Sequence, residues 1–266
     1  MIILFTKYNL ASINIATEIA SKTNSGQTGA GGIGNDNVKL IDAGTHSVLD
    51  VPSDFGDELV IVLSTHKSKI KEKIFTAHFP GNWNKAELGG TEKTLVRASV
   101  PEFKILCKKI KEAADSIGWK FSMEADHHGP TGFSPMIFVE IGSGEEEWRD
   151  KNASKAMAGA ILRAVDAIDA VDAVNHANYR IALAFGGGHY PKVFNRIQIE
   201  DENIAISHIC PKYAIDSVDE AMFIQAVEKT NPKPTMIIIS KEETNARQCE
   251  KIIAFARNAG LEIREI

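Results

Sequence analysis

Six strand-like apolar runs, each closing on a histidine, a glycine turn or both, constrain this chain more than any other feature. Three are Leu59–Leu63 before Ser64-Thr65-His66, Ile74–Ala77 before His78-Phe79-Pro80-Gly81, and Trp119–Ala125 before Asp126-His127-His128-Gly129-Pro130. The others are Met136–Ile141 before Gly142-Ser143-Gly144, Ile181–Phe185 before Gly186-Gly187-Gly188-His189-Tyr190, and Ile204–Ser207 before His208. Between them lie segments with helical apolar spacing. This alternation predicts an α/β fold, a mostly parallel sheet flanked by helices on both faces. In such a sheet a site forms outside the carboxyl ends of the strands, so six of the eight histidines are expected in one cleft.

The spacing predicts helices over Leu10–Ser21, Pro101–Ile117, Val218–Lys229 and Glu243–Asn258. The longest follows Gly144, with Met157, Ala160, Ile161, Ala164, Val165, Ile168 and Val171 on one face and Ser143 with Glu146 matching a capping box. Further strands are expected at Met1–Lys7, Val38–Ile41, Thr235–Ile239 and Leu261–Ile266. Residues 23–36, rich in Gly, Ser, Thr and Asn, read as a flexible loop. No repeat or low-complexity linker divides residues 1–266, which read as a single domain. A net charge of −5 announces neither nucleic acid nor an anionic membrane, although an RNA enzyme needs only a local basic rim. Cys107, Cys210 and Cys249 are odd in number and widely spaced, as reduced cytoplasmic thiols are. No run of 18 apolar residues suggests a membrane span, and nothing calls for an obligate protein partner, so a cytoplasmic monomer is expected.

Gly29-Ala-Gly31-Gly-Ile-Gly34 fits a dinucleotide fingerprint, but it follows a helix and leads into a strand, the wrong order for that fold. The pair His127-His128 is more informative. Consecutive side chains on a strand point to opposite faces, so both serve one site only where the chain is turning, and Gly129-Pro130 supplies the turn. Glu124 and Glu140 interrupt apolar strands, where a carboxylate is costly unless paired, hydrogen-bonded or metal-bound. Either one caps backbone amides, orients an imidazole or ligates a metal. Gly186-Gly187-Gly188 lets backbone approach a ligand closely. Gly142-Ser143-Gly144 opens a helix whose Glu145, Glu146 and Glu147 repel phosphate, a structural rather than an anion-binding segment. His78, His127, His128, His189 and His208 with the two glutamates are enough donors for zinc, and their spacing does not say which bind. Lys67, Lys69, Lys71, Lys192, Arg196 and Lys212 flank strand ends and offer a rim for a phosphate backbone. Trp83 and Tyr190 are candidates for stacking a terminal base.

Taken in order, several blocks resemble the archaeal and plant type D-aminoacyl-tRNA deacylases. They are Leu63-Ser-Thr-His66-Lys-Ser68, His78-Phe-Pro-Gly-Asn-Trp83, Glu124-Ala-Asp-His-His-Gly-Pro-Thr131, Phe138-Val-Glu-Ile-Gly-Ser-Gly-Glu-Glu-Glu-Trp148, Gly186-Gly-Gly-His-Tyr190 and Ser207-His-Ile-Cys-Pro-Lys-Tyr213. Asp126 stands where Thr or Ser is expected, and Gly144 where Thr is expected. The resemblance implies a zinc-dependent hydrolase of the ester between a D-amino acid and the 3′ end of tRNA, one that rejects the L-form. It also implies a core similar to peptidyl-tRNA hydrolase and phosphorylase-like folds. With it the expected roles become catalytic for His78, His127 and Glu124, and metal-binding for His128, Glu140 and His189. Substrate contacts are expected from His66, Trp83, Gly186, Gly187, Gly188, Tyr190 and His208, the three glycines forming a wall that reads chirality. The tRNA rim is expected at Lys67, Lys69, Lys192 and Lys212.

Overall fold

The apolar runs become strands and the helically spaced segments become helices in the computed structural model, which describes residues 1–23, 38–170 and 179–266. Of residues 24–37 it describes only the backbone of Gln27–Thr28 and Gly32–Asn35. The strands in chain order are β1 (Ile2–Phe5), β2 (Gln27–Thr28), β3 (Gly32–Asn35), β4 (Val38–Asp42), β5 (Val60–Lys67), β6 (Ile74–His78), β7 (Gly81–Asn82) and β8 (Thr94–Leu95). Then follow β9 (Ala98–Ser99), β10 (Lys120–Met123), β11 (Met136–Ser143), β12 (Arg180–Phe185), β13 (Ile204–Cys210), β14 (Thr230–Asn231), β15 (Met236–Ile239) and β16 (Glu262–Glu265). The helices are α1 (Leu10–Lys22), α2 (Val100–Ser116), α3 (Glu145–Trp148), α4 (Lys151–Ala170), α5 (Lys192–Glu200), α6 (Lys212–Ile215), α7 (Glu220–Glu228) and α8 (Ala246–Asn258). None of the described helices is long and apolar enough to cross a membrane.

Among the described residues two main sheets and two short strand pairs, β14-β9 and β7-β8, form where the sequence suggested one sheet. The larger has the order β10-β6-β11-β5-β1-β4-β3-β2, and the smaller, β13-β12-β15-β16, is parallel throughout. One apolar core joins them, running from Ile3, Val62 and Phe138 to Ala182, Ile206 and Met236. Within the larger sheet β6 runs antiparallel to β11, whereas β11, β5, β1 and β4 are parallel. Only residues 68–73 join β5 to β6, too few for a crossover, so the chain must turn back. The site therefore does not lie simply outside a row of carboxyl ends. Residues paired across neighbouring strands share a face, and the register pairs Gly142 with His66, Glu140 with Ser64 and Thr76, Phe138 with His78, and Thr76 with Ser122. His66, Glu140 and His78 thus project from one face of the sheet. On the other face Phe79 packs on Phe103 of α2, with ring centroids 4.3 Å apart.

The long helix expected after Gly144 is broken into α3 and α4. The capping box does not form, because Ser143 Oγ donates to the carbonyls of Ile70 and Glu72 instead. Asp150, whose side chain accepts from Ala153 N at 3.0 Å, starts α4. Val171 and residues 24–26, 29–31 and 36 of the glycine-rich stretch lie outside the described residues, and β2 and β3 fall where a loop was expected. Lys104, read from sequence only as a helix residue, is fully buried and donates to the carbonyls of Gln198, Asp201 and Ile204 at 2.7–2.8 Å, tying α2 to the α5–β13 connection.

Candidate active site

Glu124 sits just past β10, anchored by its backbone N–H on Ala77 O, and its carboxylate is fully enclosed. Three imidazoles meet it: His66 Nδ1 at 3.0 Å, His189 Nε2 at 2.6 Å and His127 Nε2 at 3.5 Å. Glu140, midway along β11, lies 3.4 Å from His66 Nδ1 and accepts a hydrogen bond from Thr76 Oγ1. The two carboxylates respond differently. Burial opposes ionisation of Glu124, but the hydrogen bonds from His189 and His66 outweigh it and hold the acid well below its usual range. At Glu140 burial wins and the acid is raised. Burial alone would lower His66, yet Glu124 and Glu140 together lift it to about 10, so it is an imidazolium at neutral pH. Its Nε2 meets the Tyr190 hydroxyl.

Gly142 makes room for this clamp. A Cβ placed there would lie 2.7 Å from the His66 ring, so a side chain at 142 would push the imidazole off its glutamates.

Beside the clamp, His78, His127 and His128 pack with ring centroids 4.3–4.8 Å apart. Each fixes its tautomer on a backbone carbonyl: His78 Nδ1 donates to Phe79 O, His127 Nδ1 to Ala125 O and His128 Nδ1 to Gly129 O. Their Nε2 atoms are left as acceptors, and one nitrogen from each lies within 4.8 Å of the others. His78 Nε2 is buried with no hydrogen-bond partner. His128 reaches the group through a left-handed backbone, φ +49°, an uncommon conformation for a non-glycine residue. Burial keeps all three neutral, His127 and His128 at about 4 and His78 well below its ordinary value. Three neutral imidazoles held by backbone carbonyls, one with an orphaned buried nitrogen, are a donor set that fits a metal ion. The groups His66-Glu124-His189 and His78-Glu124-Glu140 also have donor atoms close enough to hold one.

A cavity of about 250 Å³ opens on the outer side of His127 and His128. Its walls include Trp83, Lys85, Leu88, Pro211, Tyr213 and Ala214.

The structure brings His66, His78, Glu124, His127, His128, Glu140, His189 and Tyr190 together, and it places other expected contacts elsewhere. His208 is fully buried behind the site: its Nδ1 lies 2.9 Å from Asp126 Oδ2, which also accepts from Trp83 Nε1 at 3.2 Å. Trp83 lines the cavity but is only 3% exposed, which leaves no free face for stacking a base. Gly186 and Gly187 adopt φ +116° and +77°, and their missing side chains would meet Ser240, Thr244, Glu243 and Pro191 rather than the histidines. Gly187 and Gly188 line a separate cleft with Lys212, Tyr213 and Asp216. The glycine turn thus delivers His189 and Tyr190 to the site, while the Cβ positions of Gly186 and Gly187 face away from the imidazoles. Lys67, Lys69, Lys192 and Lys212 are all exposed.

A family model described as D-aminoacyl-tRNA deacylase matches residues 54–264. The chain belongs to the D-aminoacyl-tRNA deacylase family. Relatives with that name include proteins of Pyrococcus abyssi (35% identical over 214 residues, 78% of this chain and 74% of the relative) and Thermococcus onnurineus (32% over 206 residues, 77% and 72%). Another, from Ignicoccus hospitalis, is 32% identical over 203 residues, 76% of this chain and 79% of the relative. The fold matches a crystal structure of a conserved protein of unknown function at TM-score 0.86 and 25% identity, covering 99% of this chain and 94% of that one.

Within this deacylase fold two residues escaped sequence reading. Gly142 looked like a helix opener, and its value lies in a cross-strand approach to His66 that only the register reveals. Asp126 looked like a departure from the family block, yet it ties the His127-His128 turn to β13 through His208 Nδ1 and Ile209 N. An acid beside two histidines at a strand end was the available signal.

Proposed function

We propose that this chain hydrolyses the ester linking a D-amino acid to the 3′-terminal ribose of tRNA, rejects the L-ester, and uses a zinc ion to do so. The observation that carries this reading is the convergence of three neutral, carbonyl-anchored imidazoles on one point beside a buried carboxylate, in a chain of this family. His78, His127 and His128 are the residues that would hold the ion. When bound there, a zinc ion supplies Lewis acidity to water and to an ester carbonyl.

The remaining steps belong to side chains. Glu124 accepts from His189 Nε2 and so leaves His189 Nδ1 as the acceptor. His189 is also the most exposed imidazole of the cluster, with 37% of its side chain open. It takes a proton from water as the water oxygen attacks the ester carbonyl carbon. As the bond to the ribose oxygen breaks, the same imidazolium returns that proton to the leaving oxygen. His66, locked as a cation, keeps Glu124 ionised and in place. Chirality is read at the cavity beside His127 and His128, where the side chain of the amino acid would lodge.

The test is release of tyrosine from D-Tyr-tRNA and L-Tyr-tRNA, with and without chelator and zinc restoration. Loss of only the D-ester, abolished by chelator and restored by zinc, is expected. No hydrolysis of either ester with zinc present would overturn the reading and favour a small-ester hydrolase. Hydrolysis unaffected by chelator would overturn the metal alone.

A further inference from the structure

The two sides of the histidine cluster differ in their charged groups. On the cavity side Lys85 and Glu87 are both exposed, and the adjoining cleft holds Asp216, Glu242 and Glu243 beside Lys212. On the other side, at the carboxyl edge of β1, β4, β5 and β11, stand Lys7, Lys67, Lys69 and Lys71, all exposed. Among the described residues none of these four is paired with a carboxylate; of the acids at this edge Glu145 and Glu72 are paired with Arg149 and Lys120, Asp42 at the end of β4 accepts from Gly44 N, and Glu146 is exposed.

An aromatic group sits on the same edge. Tyr8, directly after β1, is 50% exposed and its ring packs on His46 with centroids 3.9 Å apart. Lys7 Nζ lies 5.4 Å from the Tyr8 centroid. The hydrogen bond from Asn9 Nδ2 to Thr65 Oγ1, 3.0 Å, fixes this segment beside β5, one residue from His66. With strands about 4.8 Å apart, the edge from β4 across to β11 is about 15 Å long. That is room for a few nucleotides leading away from the imidazoles.

We propose that this edge is the docking track for the single-stranded 3′ end of the RNA, with a base stacked on Tyr8 and phosphates on Lys7, Lys67, Lys69 and Lys71. The proposal rests on the deacylase reading for the identity of the RNA. An exposed tyrosine backed by a second ring and flanked by unpaired lysines is the combination that binds single strands without reading sequence, since every base offers a π-face and every nucleotide a phosphate. The ester then lies across the cluster with the RNA on the Tyr8 side and the amino acid toward the cavity.

The experiment compares wild type, Tyr8→Ala, Tyr8→Trp and the triple variant K67A/K69A/K71A in two assays. One measures kcat/KM on D-Tyr-tRNA and on 3′-O-(D-tyrosyl)adenosine. The other measures affinity for uncharged tRNA across salt concentrations. Tyr8→Ala should raise KM for D-Tyr-tRNA between about 5- and 150-fold, the span of a single base–aromatic stack, with Tyr8→Trp near wild type. Turnover of the adenosine ester should stay unchanged. In the triple variant the salt slope of log K should fall by about 2, at about 0.7 for each phosphate that a lysine no longer neutralises. An unchanged KM for D-Tyr-tRNA, or an equal loss on both esters, would overturn the track. Failure of the wild type on every D-ester would overturn the deacylase reading instead, and the uncharged-tRNA affinities of the variants would still decide the track.

Discussion

Burying an imidazole is the same physical event at His128 as at His66, and the two end in opposite charge states. His128 is 8% exposed and His66 5%, yet His128 is lowered to about 4 while His66 is raised to about 10. Company decides. Around His78, His127 and His128 the direct partners are backbone carbonyls and other imidazoles, and the attraction of Glu124, 3.5 Å from His127, falls short of the desolvation of a cation. Around His66 the partners are Glu124 and Glu140, whose attraction exceeds the same desolvation. One half of the site thus supplies lone pairs to a metal and the other supplies a fixed positive charge. Glu124 touches both halves, through His127 on one side and His66 and His189 on the other.

The sharpest way to break this division is to remove one imidazole from the neutral half. Replacing His128 with alanine should lower turnover of D-Tyr-tRNA by about 10²- to 10⁴-fold and strip the protein of zinc after dialysis. Metal analysis alongside single-turnover kinetics checks both. If the variant keeps its full zinc content, the ligands lie in the His66-Glu124-His189 group instead. Second in size is Glu124→Gln, which leaves the His66 cation with one carboxylate. The expected loss is about 3 kcal/mol of unfolding free energy, the scale for a buried pair deprived of a partner, together with most of the activity. Denaturant unfolding measures it, and a loss near zero would mean that Glu140 alone neutralises His66.

This division was only partly legible in the sequence. Most of the expected strands and helices came out close to their observed bounds because apolar spacing is local, but the break between α3 and α4, helix α5 and the short strands β2 and β3 were not anticipated. His127-His128, Glu140 within a strand and Glu124 just past one stood out because charge at an apolar strand and paired histidines at a turn each break a local rule. The direction of β6 did not, since it depends on which strand β6 chooses to lie beside, and this choice set which residues share a face with Glu140. Trp83 and His208 looked like substrate contacts because their partner Asp126 is 43 and 82 positions away. Gly186–Gly188 looked like a ligand wall because three glycines permit close approach, but sequence does not say to what.

The two halves should also separate along the pH axis in chelator-treated protein. For His127 and His128 the folded value near 4 lies below the unfolded value of about 6.5, so stability is intact above 6.5 and is lost as pH falls toward 4. For His66 the folded value near 10 lies above it, so its contribution is full below 6.5 and is lost as pH rises through 10. Thermal unfolding across pH 4 to 10 should show both limbs. His66→Gln should flatten the alkaline limb and leave the acid one, and His127→Gln should do the reverse. Loss of both limbs in either variant would mean that the halves titrate as one unit.

The smallest expected effect tests whether the fixed charge needs its last neighbour. Tyr190 completes the shell of His66 by meeting Nε2, the one ring nitrogen that neither glutamate reaches. As a cation His66 donates through both nitrogens, so at neutral pH the phenol oxygen is an acceptor, and Tyr190→Phe leaves a buried N–H⁺ without a partner. A hydrogen bond to a charged group contributes about 1.5 kcal/mol net at the low end, so turnover should fall about tenfold. Zinc content should not change, because Tyr190 touches none of the neutral imidazoles other than through His189, whose ring centroid is 5.1 Å away. A loss of zinc in Tyr190→Phe would show that the charged half holds the metal, and the distinction between lone-pair donors and fixed cation would fall with it.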